Sequence, residues 1–299
     1  MKKFSYLFLF ILLLSEAACL RLDSNLYNLS EKITEYKLDN YTGTTDFRLD
    51  PSYKIQDSMI HRLTLDSKGP DDSKSYKIYA LYLGDINRIT TDTVIMYCHG
   101  NKWHMDFYWQ RAKLLANVGV KHRYGVMMVD YRGYGLSEGS PTENGLYADV
   151  NAALQWLKEK GIQKNCLMLY GFSMGSAPAT ELTANPTVLT PAKLLLEAPF
   201  ASAAVMVADG AALNMPGSFV TNLKIDNAEE IKKVKQPFFW IHGVNDNFLG
   251  INTHGEVVYK NYTGSYKEAH RINGADHGEV PAAFGFVNYL DAIEKFLVK

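Results

Sequence analysis

At 299 residues the chain fits one large α/β domain, and its 47% hydrophobic and 12% aromatic content fills a sizeable core, which excludes a disordered protein. The formal net charge is −1, and no basic stripe, nucleic-acid motif, internal repeat or low-complexity tract is present, so no nucleic acid is expected as a partner. Three cysteines do not make a disulfide framework.

Residues 1–18 read as a signal peptide. Lys2 and Lys3 give a basic start, and residues 4–14 are an apolar run too short to span a bilayer as a mature helix. The run ends at Ser15-Glu16-Ala17-Ala18-Cys19. Small residues before a cysteine resemble a bacterial lipoprotein site with Cys19 acylated, although Glu16 stands where that pattern has an aliphatic residue. Ordinary signal-peptidase cleavage, with Ser15 and Ala17 at the small positions, is a second reading, and an uncleaved anchor a third. Each places the protein outside the cytoplasm. The lipoprotein reading anchors it in the bacterial cell envelope, and the second leaves it secreted or periplasmic.

Residues 19–54 read as an extended lead-in with little regular structure. Asn28, Asn40 and Asn261 head glycosylation triplets that read as chance matches. Residues 58–65 and 76–83 read as strands of an antiparallel hairpin, joined by a loop holding Gly69-Pro70-Asp71-Asp72. The pattern then alternates. Strands are expected at 93–98, 125–129, 166–170, 192–196, 237–241 and 266–272. Helices are expected at 106–118, 143–160, 176–184, near 202–213, at 254–260 and at 281–297. Near-continuous apolar strands alternating with helices imply a doubly wound, mostly parallel sheet covered on both faces. Cys98 and Cys166 read as buried thiols on core strands. Residues 199–236 leave room for only a small cap. Its Met206, Leu213, Met215 and Phe219 either line a groove for an acyl chain or pack a helix onto the sheet.

Gly171-Phe172-Ser173-Met174-Gly175 lies between an expected strand and an expected helix. A G-x-S-x-G in that context reads as a nucleophile elbow, a sharp turn in which flanking glycines remove clashing Cβ atoms and lift the serine hydroxyl clear. A serine hydroxyl at neutral pH needs a base, and the base needs a carboxylate to orient it. His277, in the loop Gly274-Ala275-Asp276-His277-Gly278, is the expected base; His270 lies inside a strand. Asp246, in the loop after residues 237–241, is the expected acid, ahead of Asp276, Asp209 and Asp226. The backbone N–H groups of Met174 and Asn101 are the expected oxyanion donors, with Gly100 allowing close approach. His99 is read as bracing that loop and His242 as supporting the acid loop. Trp103 and His104 are placed at the substrate entrance. No metal-ligand spacing is present, and neither a metal nor a cofactor is expected.

These motifs resemble the α/β-hydrolase superfamily, serine hydrolase branch, from about Ile55 to the C-terminus. His99-Gly100-Asn101, residues 130–139, the Ser173 elbow, Glu197-Ala198-Pro199-Phe200, Asp246 and His277 carry the resemblance. Residues 130–139 are especially similar to the Bem46-like group, which includes the α/β-hydrolase domain 17 and 13 types, where the stretch is a structural turn. The resemblance implies an α/β-hydrolase fold with a small cap. It implies hydrolysis of an ester, thioester or amide through an acyl-enzyme, and a small-molecule or lipid-like acyl substrate and a monomer are expected. A carboxylesterase or acyl thioesterase is the leading reading. A peptidase of the same fold and a non-catalytic binding module remain alternatives.

Overall fold

The computed structural model describes residue 27 and residues 32–119, 124–210 and 221–299. Strands β1 (Ile60–Ser67) and β2 (Tyr76–Leu83) pair antiparallel, with Ile60 opposite Leu83 and Ser67 opposite Tyr76. The remaining strands are β3 (Thr93–Cys98), β4 (Tyr124–Val129), β5 (Leu167–Phe172), β6 (Lys193–Glu197), β7 (Phe238–Gly243) and β8 (Lys267–Ile272). They complete one sheet in the order β1-β2-β4-β3-β5-β6-β7-β8, parallel from β4 to β8.

Successive residues of β3 bury into opposite cores, Val94, Met96 and Cys98 into one and Ile95 and Tyr97 into the other. That is the signature of a sheet covered on both faces, where alternate side chains point to opposite sides. Helices α1 (Met105–Leu115) and α8 (Phe286–Leu297) supply one core, and α2 (Glu143–Glu159) and α3 (Ser176–Ala184) the other. Helices α4 (Ala203–Gly210), α5 (Asn227–Glu230), α6 (Gly255–Asn261) and α7 (Val280–Phe284) complete the described set. The chain winds from β3 to β4 on one side and from β5 to β6 on the other. The carboxyl ends of β3 and β5 are therefore neighbours, with Cys98 opposite Gly171, and the crevice above them is where such sheets bind ligands.

Two expectations are corrected. The last helix is not continuous over 281–297: Gly285, at φ +83°, separates α7 from α8. Cys166 is not on a core strand; it closes a 3-10 turn, Lys164–Cys166, and is half-buried, whereas Cys98 is buried. Among the described residues of the lead-in, regular structure is confined to short turns, with 3-10 turns at Leu38–Asn40 and Pro51–Tyr53, and the segment lies along α1. The Asp106 carboxylate accepts the backbone N–H groups of Lys37 and Leu38, and Asp39 accepts from Trp109 Nε1 and Lys113 Nζ. The signal segment, Cys19, Asn28, Leu213, Met215 and Phe219 lie outside the described residues. Met206 is half-buried and packs on the core beneath α4.

Candidate active site

Strand β5 ends at Phe172, and Ser173 turns the chain with φ +52°, a left-handed conformation that non-glycine residues rarely take. The flanking glycines are sterically required. A Cβ on Gly171 would lie 2.6 Å from the Gly175 carbonyl oxygen, and one on Gly175 would lie 2.0 Å from that of Cys98. The bend therefore presses against its own helix and against the end of β3. Ser173 is 6% exposed, at the floor of a cleft, with α3 starting three residues on.

Asp246 and His277 come from the loops after β7 and β8. His277 Nε2 lies 2.9 Å from Ser173 Oγ, and its Nδ1 lies 2.7 Å from Asp246 Oδ2. A proton on Nδ1, donated to the carboxylate, leaves Nε2 to accept from the serine. The Asp246 side chain is fully buried. Its Oδ1 accepts the N–H groups of Phe248 (3.0 Å) and Leu249 (2.7 Å), and its Oδ2 also lies 3.0 Å from His242 Nε2. His242 Nε2 faces a second acceptor, the Leu249 carbonyl at 3.0 Å, so it carries the proton. Burial pushes the Asp246 carboxyl up, but hydrogen bonds from His242, His277 and Leu249 outweigh it and hold the group well below the usual carboxylate range.

The rival residues lie elsewhere. His270 Nε2 is 2.9 Å from Glu268, and its ring stacks on Phe239. Asp276 binds the backbone and side-chain N–H groups of Asn247. Asp209 lies 3.3 Å from His254, and Asp226 caps α5 through the Glu229 N–H.

The loop after β3 is pinned beside the elbow. A Cβ on Gly100 would meet Tyr108 Oη at 3.0 Å. The Asn101 carbonyl accepts from Tyr108 Oη (2.7 Å), and its Oδ1 accepts from Tyr134 Oη (2.6 Å). Tyr134 also touches Met174 Sδ, at 3.7 Å, so a residue of the 130–139 turn bridges both expected oxyanion donors. His99 stacks on Tyr108 with Nδ1 2.7 Å from the Gly100 carbonyl, and its own carbonyl accepts from Tyr131 Oη.

The cleft measures about 420 Å³, and Asn101, Lys102, Trp103, Phe107, Phe172, Phe248 and Asp46 line it beside Ser173 and His277. Trp103 stacks on Phe107, and Phe248, 58% exposed, meets the His277 ring edge-on. His104, placed at the entrance from sequence, does not line this cleft. It is buried at the start of α1 with its ring against Tyr41, and it faces a separate hollow beyond Trp103. Sequence reasoning also missed Asp46, Phe107, Phe172 and Phe248. An aromatic on the loop next to Asp246 was the one available signal, for Phe248.

Residues 90–234 match a family model described as serine aminopeptidase, S33. The chain is 31% identical over 206 residues to the α/β hydrolase domain-containing protein aho-3 of Caenorhabditis elegans, covering 68% of this chain and 57% of that protein. It is 27% identical over 206 residues to the α/β hydrolase domain-containing protein 17B of Homo sapiens, covering 68% and 65%. Among solved structures, the Pyrococcus furiosus esterase Pf2001 superposes with a TM-score of 0.64 at 17% identity, covering 91% of this chain and 97% of that one. The chain has the α/β-hydrolase fold and is similar in sequence to the α/β hydrolase domain-containing proteins. The chain spans less than two thirds of the length of those curated relatives. Its likeness to the domain 17 type agrees with the motif at residues 130–139, and its esterase neighbours share the hydrolase fold. The family model ends before Asp246 and His277, so the loops that carry them are described by the chain's own geometry.

Proposed function

We propose that this hydrolase is a serine hydrolase acting through an acyl-enzyme, as a carboxylesterase or acyl thioesterase. The unbroken line from Ser173 Oγ through His277 to Asp246, at 2.9 and 2.7 Å, carries the reading. Ser173 Oγ attacks the acyl carbonyl carbon while His277 Nε2 takes its proton. The buried Asp246 carboxylate keeps the ring oriented and balances the imidazolium. The N–H groups of Met174 and Asn101 receive the developing oxyanion. Collapse expels the alcohol or thiol, which takes the proton from His277. Water, deprotonated by the same nitrogen, then attacks the acyl-serine and releases the acid. Aromatic walls at Trp103, Phe107 and Phe248 suit an apolar acyl or leaving group.

The description of the family model as a serine aminopeptidase favours a second bond type, the amide. A panel of acyl esters, acyl thioesters and aminoacyl arylamides separates the two by kcat/KM. Ser173→Ala is expected to lower kcat on the best substrate by about 10⁶-fold and Asp246→Asn by about 10⁴-fold, with the fold retained. Full activity in Ser173→Ala would remove this mechanism. Residues 1–18 are proposed as an export signal, with Cys19 lipidated in the cell envelope. Metabolic labelling with a fatty acid is expected to mark the full-length parent and not Cys19→Ala; equal labelling contradicts the anchor.

A further inference from the structure

Helix α1 is buried along its whole length although it carries Asp106, Gln110, Arg111 and Lys113. Residues 32–54 answer most of these polar groups from outside, as Asp39 does for Lys113 and the Leu49 N–H for Gln110. Arg111 differs, because it reaches the active site. Its Nε donates to Asp46 Oδ2, its Nη1 to Glu197 Oε1 and its Nη2 to the carbonyl of Gly278, each at 2.8 Å. Gly278 directly follows His277. The guanidinium also lies 3.9 Å from the centroid of the Phe172 ring, and that ring packs on the His277 imidazole at 5.3 Å.

One rigid fork thus joins three segments: the N-terminal strap at Asp46, the end of β6 at Glu197, and the loop carrying His277. Glu197 is itself fixed, its Oε2 accepting from Tyr170 and Tyr289 hydroxyls. Asp46 packs so tightly on the loop that a Cβ on Gly278 would lie 2.7 Å from its Oδ1. A lysine offers a single ammonium and cannot span the three acceptors in one plane.

We infer that Arg111, held by Asp46 and Glu197, is a positioning residue for His277, so that the N-terminal strap forms part of the active site. The inference rests on His277 being the general base. Arg111 contacts no reacting atom; it fixes the peptide after His277 and the ring against which the imidazole stacks. Loosening that loop moves Nε2 relative to Ser173 Oγ, and small misplacements of a base cost rate steeply.

The test compares the parent, Ser173→Ala, Arg111→Lys, Arg111→Ala and Asp46→Asn on one ester substrate, with melting temperatures for each. Arg111→Lys and Arg111→Ala are expected to lose about 10- to 100-fold in kcat at unchanged KM. Guanidinium, added below unfolding concentrations, is expected to restore part of the Arg111→Ala loss, a recovery that a purely structural defect would not show. Asp46→Asn, which leaves the Arg111–Glu197 pair intact, is expected to lose less, again in kcat. Parent kcat in folded Arg111→Lys, a change in KM alone, or loss that follows unfolding and ignores guanidinium would overturn the inference. If neither Arg111 variant folds, parent kcat in Asp46→Asn overturns it. Retained activity in Ser173→Ala would instead remove the triad reading itself, which keeps the two failures distinct.

Discussion

Asp246 is the residue on which the site's electrostatics turn. Four hydrogen bonds converge on its two oxygens inside the protein, two from imidazoles and two from backbone N–H groups. Its folded pKa is depressed below the value of about 3.9 of an unfolded aspartate. A depressed carboxyl contributes stability that is full above the unfolded pKa and is lost as pH falls toward the folded one. The difference in unfolding free energy between the parent and Asp246→Asn is therefore expected not to narrow from about pH 7 to about pH 5, and to narrow below about pH 4. Urea titrations across that range check it, and narrowing already above pH 5 would contradict the hydrogen-bonded carboxylate. At this scale much of the site was legible. Ser173, Asp246 and His277 each follow an apolar strand, and the structure brings those three side chains together. His104 was not legible, because the start of α1 turns its side chain into the core one residue after Trp103 faces the cleft. Asp46 and Arg111 were hidden for another reason: no local pattern links a loop carboxylate to a helix 65 residues away.

Among the elements, the elbow is held by contact and α7–α8 by conformation. Gly175→Ala places a Cβ against the β3 backbone, which cannot swing aside, so a stability loss of at least about 1–3 kcal/mol is expected. Gly285→Ala meets only the Asn288 side chain, at an ordinary contact distance of 3.5 Å, but must hold φ +83°, and a loss of about 1–3 kcal/mol is expected from backbone strain. Chemical denaturation of both variants checks these losses; parent-like stability in Gly175→Ala would mean the elbow does not press on β3. The strands and most helices were readable to within a few residues because apolar runs and amphipathic faces are local. The break at Gly285 was missed because apolar residues continue on both sides of it. Cys166 was misplaced because the apolar run starts one residue before the strand does.

For the whole molecule, the strap decides what counts as the domain. From composition, residues 19–54 read as an extended lead-in with little regular structure, with no sign of where they pack. The binding of residues 32–54 follows from α1, whose outward polar groups they cover and pair. Asp106 takes the N–H groups of Lys37 and Leu38, so those amides are expected to resist hydrogen exchange in the parent and to exchange quickly in Asp106→Ala. Losing that carboxylate leaves buried donors and is expected to cost about 1–3 kcal/mol. Fast exchange at both amides in the parent would place the strap away from α1.

The central claim is an activated Ser173. The most direct measurement is the intact mass and peptide map of the protein after treatment with a fluorophosphonate. The account predicts a single adduct on Ser173 in the parent, formed more slowly in Asp246→Asn and absent in Ser173→Ala. A folded parent that takes no adduct, or takes it on another residue, would contradict it.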